Sequence, residues 1–462
     1  MRNFEIMRYI LPILLFLSLC IIGCTPDNNE ETLVSSEARV STFTFQTDTA
    51  NPGLTAATYT IEHRTDTGLI YCKDSLRFGT CLDSVVPQVT YKATPGIVNF
   101  VLPDTTITST GTDTMNFNQK PIYLHVTASD MKTEKWYLID IAVHQADPNL
   151  YVWKCLTENL FAPQSIQNCE TKAFYIHNQF VVYVNNGLST SLYLSVNGNN
   201  WIQKATTIDT LPVPCHVRDI VQHNDTLYYI AGGSLYTSTD LLTWAKTDYA
   251  LANFTPLNML LSYHNKPWCI VQDNATQLLM LATIIGDSIQ LRTDIDELQD
   301  GFLPKNFPIS DFATVAFSSS SERPRAMIVG GRSINGDIVN SRWNLEYLSQ
   351  AGYRLKDFSI SQPSFESLIG VSIIEYDNHF IMFGGTDNDL IWRSDILYSD
   401  DEGMNWYAPD TSSNKLPSTY QSRYNQSVIV DQEDNIYLIG GQSHTRSFSD
   451  VYRGFRNATK WE

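Results

Sequence analysis

The chain has 462 residues, of which 12% are aromatic and 17% charged, and its formal net charge is −18. That length exceeds one ordinary domain unless the fold is built from repeats, and the many Thr, Ser, Tyr and Val residues favour strands over helices. With no basic cluster to neutralise phosphates, the acidic balance excludes a nucleic-acid partner and suits an exposed, soluble surface.

The first 23 residues read as a targeting segment and stand apart from the fold. Arg2 and Arg8 give a positive start, and residues 9–22 form an apolar run of about fourteen residues, too short for a comfortable membrane span. The run stops at Ile21-Ile22-Gly23-Cys24. Small residues before a cysteine at this point resemble a bacterial lipoprotein signal. The resemblance implies cleavage before Cys24, a diacylglycerol on its thiol and an acyl chain on the new amino end. The alternative is an ordinary secretory signal with an incidental cysteine. Residues 24–36 are polar and acidic, the composition of a flexible tether. Asp27, Glu30 and Glu31 resemble the surface-export signal of Bacteroidetes-type lipoproteins, which implies a place in the outer membrane with the folded parts outside the cell.

Six cysteines remain after Cys24, and an exported chain meets an oxidising compartment where pairing is allowed. No C-x-x-C spacing is present, so no zinc site is expected. Cys72 and Cys81 flank one short connection and are either a disulfide or two small buried residues. The pairing of Cys155, Cys169, Cys215 and Cys269 stays open.

Residues 37–146 hold about seven short alternating runs, among them ARVSTFTF, GIVNFVL and KWYLIDIAV, separated by Gly, Pro, Asp and Thr. This pattern predicts an immunoglobulin-like sandwich. Asp147-Pro148-Asn149 ends it, because a proline pushes the residue before it toward an extended linker.

From residue 150 a repeat takes over. Tyr193, Tyr236 and Tyr398 are each followed eight residues later by a tryptophan, Trp201, Trp244 and Trp406, in a chain with only nine. Tyr347 and Leu281 keep the frame with Gly352 and Gly286, and Tyr452 reaches Trp461 one residue late. Gly232-Gly233, Gly330-Gly331, Gly384-Gly385 and Gly440-Gly441 each close a hydrophobic strand. Upstream, His177-Asn178, His223-Asn224, His264-Asn265, Asp377-Asn378 and Asp434-Asn435 lie between apolar runs, where Asn tolerates the left-handed backbone of a tight hairpin. Each unit reads as a four-stranded antiparallel blade of roughly 50 residues, and six such units predict an all-β, six-bladed propeller over residues 150–462. The last unit lacks its fourth strand, and residues 151–155 are available to supply it. That would hide an unpaired edge.

The Gly-Gly, Tyr and Trp pattern resembles the kelch repeat, and Ser399-x-Asp401-x-Gly403-x-x-Trp406 resembles the Asp-box of sialidase-type propellers. In both families these residues are structural turns. The whole chain resembles a family of Bacteroidetes-type lipoproteins with an acylated cysteine, an Ig-like domain and a kelch-like propeller. That resemblance rests on Asp74-Ser75-Leu76 with Gly79-Thr80, and on Val143-His144-Gln145 with Asp147-Pro148. Thr49, Ser75, Thr105, Thr114, Thr210, Thr226 and Ser288 further resemble O-glycosylation acceptors of exported proteins from that group.

No P-loop, nucleophile elbow or H-E-x-x-H is present, and the Arg-Ile-Pro motif of sialidases is missing, so no catalytic residue, cofactor or metal is assigned. The turn histidines His177, His223 and His264 read as solvated. The stretches between Gly-Gly and the hairpin lengthen in units four to six. They carry Arg332, Arg342, Trp343, Trp392, Arg393, His444 and Arg446, a candidate ligand rim in an Arg-poor chain. The competing reading packs Trp343 and Trp392 beneath their own loops. Two functions follow: a surface module that binds a glycan or protein, or a glycan-active hydrolase using the central mouth, the latter on fold analogy alone.

Overall fold

A computed structural model describes residues 34–161, 169–248, 253–286, 288–318, 323–349, 352–359, 366–387, 389, 396–408 and 415–457. Cys24, Trp392, Arg393 and Trp461 lie outside the described residues. The fold is all-β, with three short 3₁₀ turns as the helical pieces among the described residues. It divides into two compact units, Met1–Asp147 and Pro148–Glu462.

In the first unit a two-stranded sheet pairs Val40–Phe45 with Pro87–Tyr91, and a six-stranded sheet holds Tyr59–Glu62, Thr67–Cys72, Glu134–Asp140, Ile122–Ala128, Pro95–Val101 and Thr106–Thr108 in that order. Thr67–Cys72 and Glu134–Asp140 run parallel, and the other pairs are antiparallel. Alternation sends Val98 and Phe100, and Leu124 and Val126, inward to one core with Phe43, Phe45 and Tyr137. Cys72 and Cys81 are not joined. Both are free thiols, Cys72 Sγ facing the Asp74 carbonyl at 2.5 Å and Cys81 Sγ facing Asp83 Oδ2 at 3.5 Å. Leu76 and Leu82 are both buried, and Asn51 holds the backbone of Cys81 at both its N–H and its C=O, so this connection is fixed without a covalent link. Cys155, Cys169, Cys215 and Cys269 are free as well.

The second unit is a succession of six sheets. The first holds Glu170–Ile176, Gln179–Asn185, Thr190–Ser195 and Ile202–Ala205; the second Val221–His223, Thr226–Ala231, Ser234–Ser238 and Ala245–Asp248; the third Phe254–Tyr263, Lys266–Asp273, Leu279–Ile285 and Ser288–Leu291. The fourth holds Ala313–Ser318, Pro324–Val329, Arg342–Tyr347 and Tyr353–Asp357, with Ile295–Asp296 parallel to its last strand. The fifth has Ser372–Tyr376, His379–Phe383 and Ile396–Ser399, and among the described residues its fourth member is a bridge between Tyr398 and Tyr407. The sixth has Ser427–Val430, Ile436–Ile439 and Val451–Arg456, and its fourth strand comes from the start of the unit, Tyr151–Thr157.

The repeated turn residues explain the sheets. The pairs His177-Asn178, His264-Asn265 and Asp377-Asn378 take positive φ at both positions, between 47° and 60°, as a two-residue hairpin loop requires. Gly330 and Gly384 do two things. Their φ values are 64° and 62°, and a Cβ there would stand 2.3 Å from the Leu368 carbonyl oxygen and 2.4 Å from that of Arg423, each leading into the next sheet. Side chains also bond sheet to sheet. Asn258 Nδ2 donates to the Ile309 carbonyl (3.0 Å), Ser372 Oγ to that of Gln426 (2.5 Å), and the Ala173 N–H donates to Ser427 Oγ (2.9 Å), which ties the sixth sheet to the first.

The turn histidines are not simply solvated. His223 Nδ1 lies 2.9 Å from Ser262 Oγ and His264 Nδ1 2.9 Å from the Tyr353 hydroxyl, each a link to the following sheet. Among the described residues no group of three His, Cys, Asp or Glu could hold a metal.

Candidate functional site

The Ser399 turn forms as a closed hydrogen-bonded loop. The Gly403 N–H donates to Ser399 Oγ (2.9 Å), the Asn405 N–H to Asp401 Oδ1 (2.8 Å), and Trp406 Nε1 back to the Gly403 carbonyl (3.0 Å), with Gly403 at φ 80°. These bonds fix a hairpin.

The described members of the expected rim separate in the structure. Arg342 and Trp343 belong to the strand Arg342–Tyr347, paired with Val329 and Ile328. Arg342 is 2% exposed and donates to the carbonyls of Met404 (2.7 Å) and Phe358 (2.9 Å). Trp343 is buried against Phe307 at 5.5 Å between ring centres. Part of the long stretch after Gly330-Gly331 is therefore strand and not loop. His444 and Arg446 are exposed on a tight turn closed by Ser443 N–H and the Arg446 carbonyl, and Arg446 lies over Phe448 and bonds Gln421.

Arg332 leads elsewhere, to a site the sequence hid. Its Nε donates to Asp311 Oδ2 (3.2 Å), and Arg218 Nη1 donates to Asp311 Oδ1 (3.4 Å). Asp311 and Arg218 line a cavity of about 160 Å³ walled by the first strands, or the residues leading into them, of all six sheets. Lys172 and Asp219 face the same space. Next in sequence to the lining residue Thr171, Glu170 Oε1 meets His216 Nδ1 at 3.1 Å, and exposure falls from His216 to Asp311 to Arg218. A larger hollow of about 610 Å³ lies between the fourth and fifth sheets, where Arg325 pairs with Glu346 and Glu402 and His379 with Asp400, while burial raises the Glu375 carboxyl.

The cavity charges are expensive to keep. Burial pushes the Asp219 carboxyl up to about 6, against the opposing pull of Arg218 and a hydrogen bond from Asn258. Burial, with repulsion from Arg218, lowers the Lys172 ammonium to about 8. The hydrogen bond to Glu170 raises His216 to about 9. None of this was visible in sequence, because Lys172, the adjacent pair Arg218-Asp219, and Asp311 are far from one another in the chain and share no motif. The available signal was a charge at the entry to a first strand, where the fifth and sixth sheets have Ser372, Gln426 and Ser427.

A stability measurement reads the cost. Asp219 binds its proton more tightly folded than unfolded, so the native state holds more protons between pH 3.8 and about 6, and stability falls as pH rises through that window. Asp219→Asn removes the cost, while the amide it introduces can still face Asn258 and Arg218 keeps Asp311. We expect the variant to be more stable than the parent at pH 8 by about 1–2 kcal/mol, reduced for the water the cavity admits. The advantage should vanish below pH 4 in paired denaturant titrations. A variant less stable at pH 8 would show that Asp219 contributes to the fold.

These features define a class: an all-β protein whose second unit sets the first strands of successive sheets around a charged cavity. The chain belongs to the DUF6242 family. Residues 147–462 match the DUF6242 beta propeller domain, and residues 31–141 match the Domain of unknown function (DUF6242) N-terminal domain. No curated protein matches the chain.

Proposed function

We propose that this is a cell-surface lipoprotein whose propeller, six-bladed, kelch-like and closed by Tyr151–Thr157, binds a glycan or protein through the face on which the cavity opens. Support for six blades comes from the six sheets that wall one cavity and from the side-chain bonds between successive sheets. The N-terminal unit is read as an immunoglobulin-like spacer, on its two sheets around one core. The observation that carries the binding reading is a cavity that gathers Arg218 with two desolvated charges, Lys172 and Asp219. They weaken the fold, and binding sites are where such a cost is kept. Glycan-array screening of the detergent-solubilised full-length protein tests it. Retention of a defined glycan class supports the reading, and a blank array together with no protein partner captured from the native cell surface overturns it.

One observation favours hydrolysis as a second reading. Asp219 is a carboxyl poised near pH 6 in the same cavity as Asp311, which is ion-paired to two arginines, and a divided pair of this kind suits acid-assisted glycoside cleavage. Turnover of a bound glycan that Asp219→Asn abolishes would establish it.

The lipid anchor rests on the Cys24 signal. Cys24→Ala is expected to leave the precursor unprocessed or free of the membrane fraction, because acylation with more than one chain anchors far more firmly than a single chain. Protease added to intact cells should digest the wild-type protein. Protection until the outer membrane is broken would place it on the periplasmic side.

A further inference from the structure

The cavity's unused donors narrow the class of ligand. Lys172 makes no ion pair and no side-chain hydrogen bond among the described residues, and its Nζ lies 5.8 Å from the centre of the Phe174 ring. Arg218 spends only Nη1, on Asp311, which leaves Nε and Nη2 without a partner among the described residues. Two cations therefore face one space with donors to spare. Asp219 and Asp311 line that same space as acceptors.

Resting on the binding function above, we propose that the cavity takes the carboxylate of an acidic sugar residue, gripped by Lys172 and Arg218, while the sugar's hydroxyls donate to Asp219 and Asp311. Charge-assisted bonds to a carboxylate are the strong ones, and a guanidinium fork matches its two oxygens. The size agrees: about 160 Å³ is smaller than the roughly 300 Å³ at which pockets begin to hold drug-sized ligands. It admits one residue and not a chain. An acidic peptide fits less well, because its side chain would bring a carboxylate to the cations but no hydroxyl to Asp219 and Asp311, leaving like charges opposed. The lowered Lys172 ammonium is consistent with a site whose counter-charge arrives with the ligand.

The test uses saturation-transfer NMR on the detergent-solubilised full-length protein with D-glucuronate, D-glucose and a glutamate-rich peptide as probes. Glucuronate should bind about tenfold or more tightly than glucose, the cost of losing charge-assisted bonds. Lys172→Met should erase that preference without lowering the melting temperature, since Lys172 holds no ion pair in the fold. The comparison of probes on the unaltered protein stands even if the variant misfolds. Equal binding of glucuronate and glucose, or a preference that survives Lys172→Met, overturns the acidic-sugar inference and leaves the binding function standing. A preference for the peptide overturns it in favour of a protein ligand. No binding of any probe overturns it as well, and if the glycan array and surface capture are also blank, the binding function falls with it.

Discussion

Arg423→Ala is expected to lower the stability of the second unit by about 3–5 kcal/mol, the usual result of breaking a buried ion pair. Arg423 is 1% exposed, and its guanidinium is sandwiched between Tyr420 and Phe448 at 4.0 and 3.8 Å from the ring centres. It makes a two-pronged pair with Asp450, through Nη1 and, at 3.0 Å, through Nη2. Nε donates to the Gln421 carbonyl (2.9 Å) and Nη1 to that of Gly440 (3.0 Å). Truncation leaves the Asp450 carboxylate, two carbonyls and two ring faces without a partner at once. Gly440 adds to the effect: its φ is 64°, and a Cβ on it would stand 2.7 Å from Thr171 Oγ1 of the first sheet. Arg423 thus pins the corner where the sixth sheet meets the first. With roughly 2 °C lost per kcal/mol in a unit of this size, the melting point should fall on the order of 6–10 °C. Lysine should not rescue it, because an ammonium can neither fork onto Asp450 nor stack flat between two rings. Adding Asp450→Asn should recover part of the loss by removing the stranded charge. A melting point for Arg423→Ala within a degree or so of the parent's would show that the pair is not part of what holds this corner.

Local signals were the legible ones. The residue pairs at the hairpin turns and the Gly-Gly corners carry their reason within two residues, a backbone angle that Asn and Gly tolerate and most side chains resist. The same holds for Ser399, Asp401, Gly403 and Trp406, whose hydrogen bonds close within eight residues. What failed in sequence was whatever depends on contacts between sheets. Arg342 has the sequence setting of a loop arginine, yet the carbonyls of Phe358 and of Met404, in the turn of the next sheet, receive it. Lys172 lies 46 residues from Arg218 and 139 from Asp311, so their convergence belongs to the arrangement of six sheets and to no motif. Arg423 was silent for the same reason: Phe448 and Asp450 reach it only when the strand pairing of the sixth sheet exists.

Replacing residues 151–157 with a Gly-Ser linker of equal length is expected to abolish the cooperative fold of the second unit. These residues are the only strand that the sixth sheet borrows from the other end of the unit among those described, pairing from Tyr151 with Arg456 to Thr157 with Val451. Removing them exposes Val451–Arg456 as an unpaired edge, a template for aggregation. The side chains lost are not passive. Tyr151 is 6% exposed and packs on Tyr376 and Tyr398 at 6.1 Å, and Trp153 meets Phe383 edge-on at 6.2 Å. Arg456, at the far end of the pairing, bonds Asn149 just before the strand and Asp377 of the fifth sheet, so Val451–Arg456 ties the fifth sheet to this edge. Burial of Tyr151 and Trp153 alone contributes roughly 1.5–3 kcal/mol each. Together with the lost ladder bonds, that approaches the roughly 5–15 kcal/mol by which whole folded domains are stable. The near-ultraviolet signal of the second unit's tryptophans and resistance to limited proteolysis are the readouts. Both should collapse in the linker variant, and the protein should aggregate at concentrations where the parent is dispersed. A milder variant, Tyr151→Ala with Trp153→Ala, keeps the backbone pairing and should lower the melting point without abolishing the transition, which separates the edge effect from the packing effect. If the linker variant unfolds cooperatively at the parent's temperature, the pairing of Tyr151–Thr157 with Val451–Arg456 is not what completes the sixth sheet in solution.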